Sequence, residues 1–115
     1  MSKRDDLVLL RHMLDAATEA VSFASGRSRD DLDTDRMLFH SIVRNLGIIG
    51  EAASQVSREF RARESGLPWA DAIGMRNRVI HAYYDIDHDI VWHTTTQDLP
   101  ALISELSKLL GEPAE

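Results

Sequence analysis

The sequence predicts an all-α protein, a bundle of four or five helices formed by a single domain over residues 1–115. Three observations carry this. Apolar residues recur at steps of three and four along most of the chain. No stretch shows the apolar and polar alternation of a half-buried strand. Glycine and proline fall between the apolar stripes, at Gly26, Gly66, Pro68, Pro100 and Gly111, where helices are expected to stop or restart.

The first stripe, Leu7, Leu10, Met13, Leu14, Ala17, Ala20, Val21 and Ala24, describes an amphipathic helix from about Asp5 to Ser25 that stops at Gly26. Ser28, followed three residues later by Asp31, is a variant of the capping box, so the next helix is expected to begin there or at Thr34. Asp30, Asp31, Asp33 and Asp35 suit the positive end of that helix dipole, and no calcium-loop spacing follows them. This second helix is expected to be the longest, running to about Arg63 on Met37, Ile42, Leu46, Ile49, Ala53, Val56 and Phe60. Gly47 and Gly50 lie inside it at a cost of about 2 kcal/mol of helix propensity relative to alanine. A neighbouring helix that approaches closely is the simplest reason for them. Arg58, Arg61 and Arg63 suit the negative end of the dipole and could also extend a surface for RNA.

Pro68 stands at the first position of a third helix that carries Trp69, Ile73, Met75, Val79 and Ile80. The acidic run from Asp85 to Asp89 reads as a turn and a cap for a fourth helix through Ile90, Val91 and Trp92. Pro100 then demands a kink or a restart, with Asp98 as the cap of a last helix through Leu102, Ile103, Leu106, Leu109 and Leu110. Gly111 and Pro113 end it.

Composition narrows the function classes. With no cysteine, the chain has neither a disulfide framework nor a thiolate metal site. It shows no apolar signal segment and no membrane span, so a cytoplasmic location is expected. A formal charge of -6 argues against a broad electrostatic footprint on nucleic acid, so any RNA contact should be local. His12, His40, His88 and His93 lack the paired spacing of a zinc site and are expected at the surface or in packing.

The stretch from Met75 to Tyr84 is different in kind, because it gathers cations, a carboxamide, an imidazole and two phenols within ten residues. An arginine offers phosphate a planar fork of donors and a histidine titrates near neutral pH, which together suit phosphodiester chemistry. The same residue types near a helix end also make a solvated, capping face. On an ideal helix Asn77 and His81 project about 40° apart, whereas Arg76 and His81 are about 140° apart. Either the helix loosens near His81, or two copies meet across a two-fold axis and assemble the working pairs there.

Arg76, Asn77, His81 and Tyr83, preceded by Pro68-Trp69 and followed by Asp85-Ile86-Asp87 and Val91-Trp92, resemble the motif of HEPN-domain proteins of the HepT type. The run from Ile42 to Ala53 and the closing Asp98-Leu99-Pro100-Ala101-Leu102 match that family's pattern as well, so the resemblance covers most of the chain. It implies an up-and-down HEPN bundle that forms a homodimer with the active site at the interface. The implied activity is that of a metal-independent endoribonuclease, the toxin of a type VII-like pair with a minimal nucleotidyltransferase antitoxin. His81 would move the proton, Arg76 would hold the phosphate as negative charge grows, and Asn77 would orient one of them. Asn77, Arg78 and Tyr83 would contact the substrate, an RNA such as tRNA or mRNA. Neither a metal nor another cofactor is implied. Tyr83 would also be the residue to which the partner transfers AMP, blocking the site.

Two other readings remain open on the residues. One is a HEPN subunit that binds nucleotide and pairs with a nucleotidyltransferase without cutting RNA. The other is a structural dimer whose polar motif satisfies buried groups at the interface.

Overall fold

The computed structural model describes residues 3–84 and 87–111, with side chains described for residues 5–79 and 87–111. The first stripe folds as α1 (Lys3–Ala24), burying Leu10, Met13, Ala17 and Ala20. Gly26 closes it with a left-handed φ of 74°, a conformation that a side chain would disfavour. Of the two expected starts, the one at Ser28 is used; Thr34 instead ends that first turn, and the long helix starts just beyond it behind Asp35. Asp31 accepts the Ser28 amide at 2.7 Å, the returning half of a capping box, and a single turn, α2 (Asp31–Thr34), follows. Asp35 then caps α3 (Arg36–Gln55) by accepting the Leu38 amide at 3.0 Å.

The expectation of one helix running on to Arg63 is corrected. At Val56 the backbone turns extended, with ψ 137°, and a separate α4 (Arg58–Arg63) begins behind Ser57. The Ser57 hydroxyl accepts the Phe60 amide at 3.2 Å, so it caps α4. The same hydroxyl donates to Asp6 of α1 at 2.7 Å, and the Ser57 amide donates to that carboxylate at 2.9 Å. Asp6 is only 2% exposed, and these bonds satisfy a carboxylate that would otherwise be costly to bury. The break therefore has a tertiary cause, fifty-one residues away in sequence.

Residues α5 (Trp69–Tyr84) follow with the Pro68 carbonyl accepting the Ala72 amide at 2.9 Å, so Pro68 stands just before the first helical residue. Trp69 donates its indole N–H to the Glu64 carbonyl at 2.9 Å and meets Phe60 edge-to-face, which seats α4 against the start of α5. Asp87 caps α6 (His88–His93) through the Ile90 amide at 3.1 Å; Asp85 and Ile86, part of the expected turn, lie outside the described residues.

Asp98 is not a cap. It has helical φ and ψ of -83° and -41° and makes no capping bond, because the chain arrives at it already helical through a π turn (Thr94–Asp98) that continues into α7 (Leu99–Leu109). The wide turn is how the chain meets the demand that Pro100 makes, since proline lacks an amide and its ring crowds the carbonyl four residues back. Thr95 and Thr96 donate their hydroxyls to the Val91 and Trp92 carbonyls at 2.9 and 2.8 Å, tying the π turn back to α6.

Four rods result: α1, α3, α5, and the composite of α6, the π turn and α7. The most extensive packing joins α1 to α3 and α3 to α5, and α7 returns to α1. Leu10, Met13, Ile42, Leu46, Ile49, Leu99 and Leu106 fill the centre. No strand occurs among the described residues, and the all-α bundle stands as expected.

An ionic clasp joins α2 to α6. Arg27 pairs with Asp31 and Asp35, and Arg29 pairs with Asp33 and with Asp89 of α6. His88 reaches Asp33 at 2.6 Å while its ring lies 4.2 Å from that of Phe39, the packing role expected of it. Hydrogen bonds from His88 and then Arg29 hold the Asp33 carboxyl below its ordinary range. Arg27 and the Leu38 amide do the same for Asp35. The aspartates thus bind specific cations and amides beyond any general effect of the helix dipole.

Candidate active site

Arg76 owes its place to a glycine. Where α3 crosses α5, a Cβ built on Gly50 would lie 2.6 Å from Arg76 Cγ, 2.7 Å from the Arg76 amide nitrogen and 3.2 Å from the Ile73 carbonyl oxygen. Only a missing side chain allows that approach. At Gly47 the nearest atom is Val79 Cγ2 at 3.6 Å, an ordinary contact, so the two glycines do not play equal parts. Gly50 opposite Arg76 and Gly47 opposite Val79 also show that α3 and α5 run antiparallel here.

The stem of Arg76 is clamped by this crossing, while the guanidinium extends into solvent and pairs with Glu51 Oε2 at 3.2 Å. Glu51 is itself held, since its Oε1 accepts from the Gln55 side chain at 3.0 Å. The sequence placed Glu51 inside a matching block without giving it a role. No local signal marks it, because Gly50 and Gly47 look alike until the crossing with α5 is seen.

Asn77 is exposed on the next face of α5, and a Cβ built on Gly74 would meet nothing within 4 Å, so that face is open. His81 belongs to the same face by helical position, four residues beyond Asn77. The side chains of His81 and Tyr83 lie outside the described residues. The backbone of α5, however, is α-helical without interruption through Tyr84, so the helix does not loosen near His81. On such a helix the Arg76 and His81 positions remain about 140° apart.

Arg78 turns the other way, toward the seam between α5 and the last rod. Its Nη1 is buried without a hydrogen-bond partner among the described residues, 3.7 Å from Asp98 Oδ2. Two hollows meet at this pair. One, of about 200 Å³, opens between α5 and α7 beside Met75, Leu102 and Glu105. The other, of about 320 Å³, is lined by Ile90, His93 and Thr94. The structure therefore brings Arg76 together with Glu51, and Arg78 with Asp98, but separates the two arginines onto different sides of the helix. Among the described residues no three His, Asp or Glu side chains converge as a metal-binding group. None of the described helices is long and apolar enough to cross a membrane.

Comparison with known proteins gives this geometry a family. The model of the ribonuclease HepT-like family matches residues 13–109. A candidate RNase of Methanocaldococcus jannaschii is 31% identical over 106 residues, covering 92% of this chain and 97% of its own. One of Caldanaerobacter subterraneus subsp. tengcongensis is 34% identical over 101 residues, with 88% and 90% covered. "Probable ribonuclease HepT" of Thermococcus cleftensis is 32% identical over 80 residues, with 70% and 73% covered. No solved structure matches the chain significantly. An all-α bundle, a motif helix anchored by Gly50 and a match across residues 13–109 lead to one conclusion: the chain belongs to the HepT-like ribonuclease family.

Proposed function

We propose that the protein is a metal-independent endoribonuclease acting in the cytoplasm as the toxin of a toxin and antitoxin pair. The observation that carries most weight is the anchored but solvent-facing Arg76, standing on the motif helix of a family of ribonucleases. In the proposed reaction a ribose 2'-hydroxyl attacks the adjacent phosphate and expels the 5'-oxygen of the next nucleotide, leaving a 2',3'-cyclic phosphate. His81 takes and returns the proton, and Arg76 stabilises the charge that grows on the phosphate. Asn77 orients one of these groups and Tyr83 contacts the RNA, while Arg78, turned into the seam with Asp98, is left out of the site.

The uninterrupted α-helical backbone of α5 supports a dimeric site. With Arg76 and His81 on different faces of one helix, the pair that acts on a single phosphate is best supplied by two copies meeting over the open Gly74 and Asn77 face. The partner in the cell is a small nucleotidyltransferase encoded nearby. It catalyses attack of the Tyr83 hydroxyl on the α-phosphate of ATP with loss of pyrophosphate, and the attached AMP occupies Arg76 and fills the cleft.

The test is cleavage of labelled RNA by the purified protein in EDTA and in magnesium, with the product ends mapped. Cleavage in EDTA that leaves cyclic phosphate, lost in Arg76→Ala and His81→Ala, is expected. Activity abolished by EDTA and restored by magnesium would overturn the mechanism. Tight nucleotide binding with no cleavage would favour a non-catalytic subunit instead. Incubation with the partner and ATP should add about 329 Da per AMP, an increment absent from Tyr83→Phe.

A further inference from the structure

We infer that Glu51 is a positioning residue for Arg76, fixing which edge of the guanidinium faces the RNA phosphate. This deepens the proposed site and rests on the reading of Arg76 as its phosphate-holding residue. The backbone and Cγ of Arg76 are pinned against Gly50, but everything beyond Cγ is free to turn unless the far end is held as well. Glu51, the residue next to that glycine, supplies the hold by taking Nη1 at 3.2 Å. Among the described residues nothing else takes Nε or Nη2, and these two donors form the parallel fork that suits two phosphate oxygens.

Glu51 can do this because it is not a loose surface carboxylate. Gln55, one turn on, donates to Oε1 and leaves Oε2 for Arg76. The result is a chain from Gln55 through Glu51 to Arg76, with the helix crossing as its fixed point. A surface ion pair contributes little to stability, so a stabilising role is a weak reason for this pair. It also sets a negative charge beside the place where an anionic substrate must bind. That placement works against affinity, and it makes sense where orientation matters more than attraction.

This opposition gives the test its sign. In steady-state cleavage of a fluorophore- and quencher-labelled RNA oligonucleotide, Glu51→Ala should lower kcat roughly 10- to 100-fold, the scale of an ångström's misplacement. KM should stay level or fall, because a repelling charge is gone. Glu51→Gln should recover most of kcat, since a carboxamide oxygen in the same place can accept from Arg76. In an Arg76→Ala background, Glu51→Ala should cost nothing further, as two residues acting through one group do not add. A wild-type kcat for Glu51→Ala, in a protein that Arg76→Ala inactivates, overturns the positioning role and leaves the reading of Arg76 intact. Full activity in Arg76→Ala overturns that reading itself. Loss of thermal stability in parallel with kcat, without recovery in Glu51→Gln, would mark Glu51 as structural and also overturn the inference.

Discussion

Replacing Gly50 by alanine tests how firmly the fold fixes its arginine. The added Cβ would stand 2.6 Å from Arg76 Cγ and 2.7 Å from the Arg76 amide nitrogen, where ordinary carbon contacts lie at roughly 3.5–4.0 Å. The side-chain atom can swing aside but the backbone nitrogen cannot. The helices must therefore part by about 1 Å at the crossing, and such overpacking costs about 1–3 kcal/mol. Alanine returns about 1 kcal/mol of helix propensity, so the net loss of stability is only about 0–2 kcal/mol. Activity should suffer more, because a displacement of about 1 Å at a catalytic group can lower a rate on the order of 10²-fold. Gly47→Ala is the matched control. Its Cβ would meet Val79 Cγ2 at an ordinary 3.6 Å, so it should gain the propensity term and raise Tm by about 4 °C with activity kept. Thermal denaturation and RNA cleavage on the two variants read both effects. A Gly50→Ala protein as stable and as active as Gly47→Ala would refute the idea that the crossing sets Arg76.

Other perturbations probe other parts. His81→Ala should lose about 10² to 10⁴ in cleavage rate, the usual share of general acid and base catalysis, with an unchanged circular dichroism spectrum. Ser57→Ala removes the α4 cap and leaves the buried Asp6 carboxylate short of a donor. Urea denaturation should show a loss of about 1–3 kcal/mol. The clasp between α2 and α6 predicts acid sensitivity. Asp31, Asp33 and Asp35 have carboxyls lowered by their partners, so their contribution is present above the unfolded value of about 3.9 and is lost as pH falls through the lower folded values. Melting temperature should be level near neutral pH and drop below about pH 4, and the pairs that these three aspartates make should weaken in high salt.

Much of this fold was legible because helical periodicity is local. The stripes of α1 and α7, the stop at Gly26 and the cap at Asp87 can each be read from a few neighbouring residues. The break at Val56 cannot, since Ser57 turns the chain only with Asp6 of α1 in reach. Asp98 misled for a related reason: an aspartate two residues before a proline has the look of a helix start, and nothing nearby announces that the chain is already helical. The site divides in the same way. Two glycines in one stripe announced a close neighbour, but only the crossing tells Gly50, which must be glycine, from Gly47, which need not be. The unbroken backbone of α5 removed the loosened helix from the two alternatives posed by the Arg76 and His81 angle. The partner of Arg76 was hidden because an exposed carboxylate on one helix gives no local sign of a cation on another.

The π turn between His93 and Leu99 can also be seen as one residue of slack in an otherwise continuous rod. An inserted residue of this kind lets the segments on either side keep their own phase, so the identity of the side chains inside it matters less than their number. Exchanging the exposed Gln97 should pass almost unnoticed. Deleting any one residue from Thr94 to Gln97 would draw the rod into a plain α-helix and bring the Pro100 ring against the carbonyl four residues back. The rod would then have to bend, carrying Asp98 away from Arg78 and changing the seam in which α5 lies. Length is therefore tightly constrained in this segment, and a shortened variant should be altered where a Gln97 variant is not.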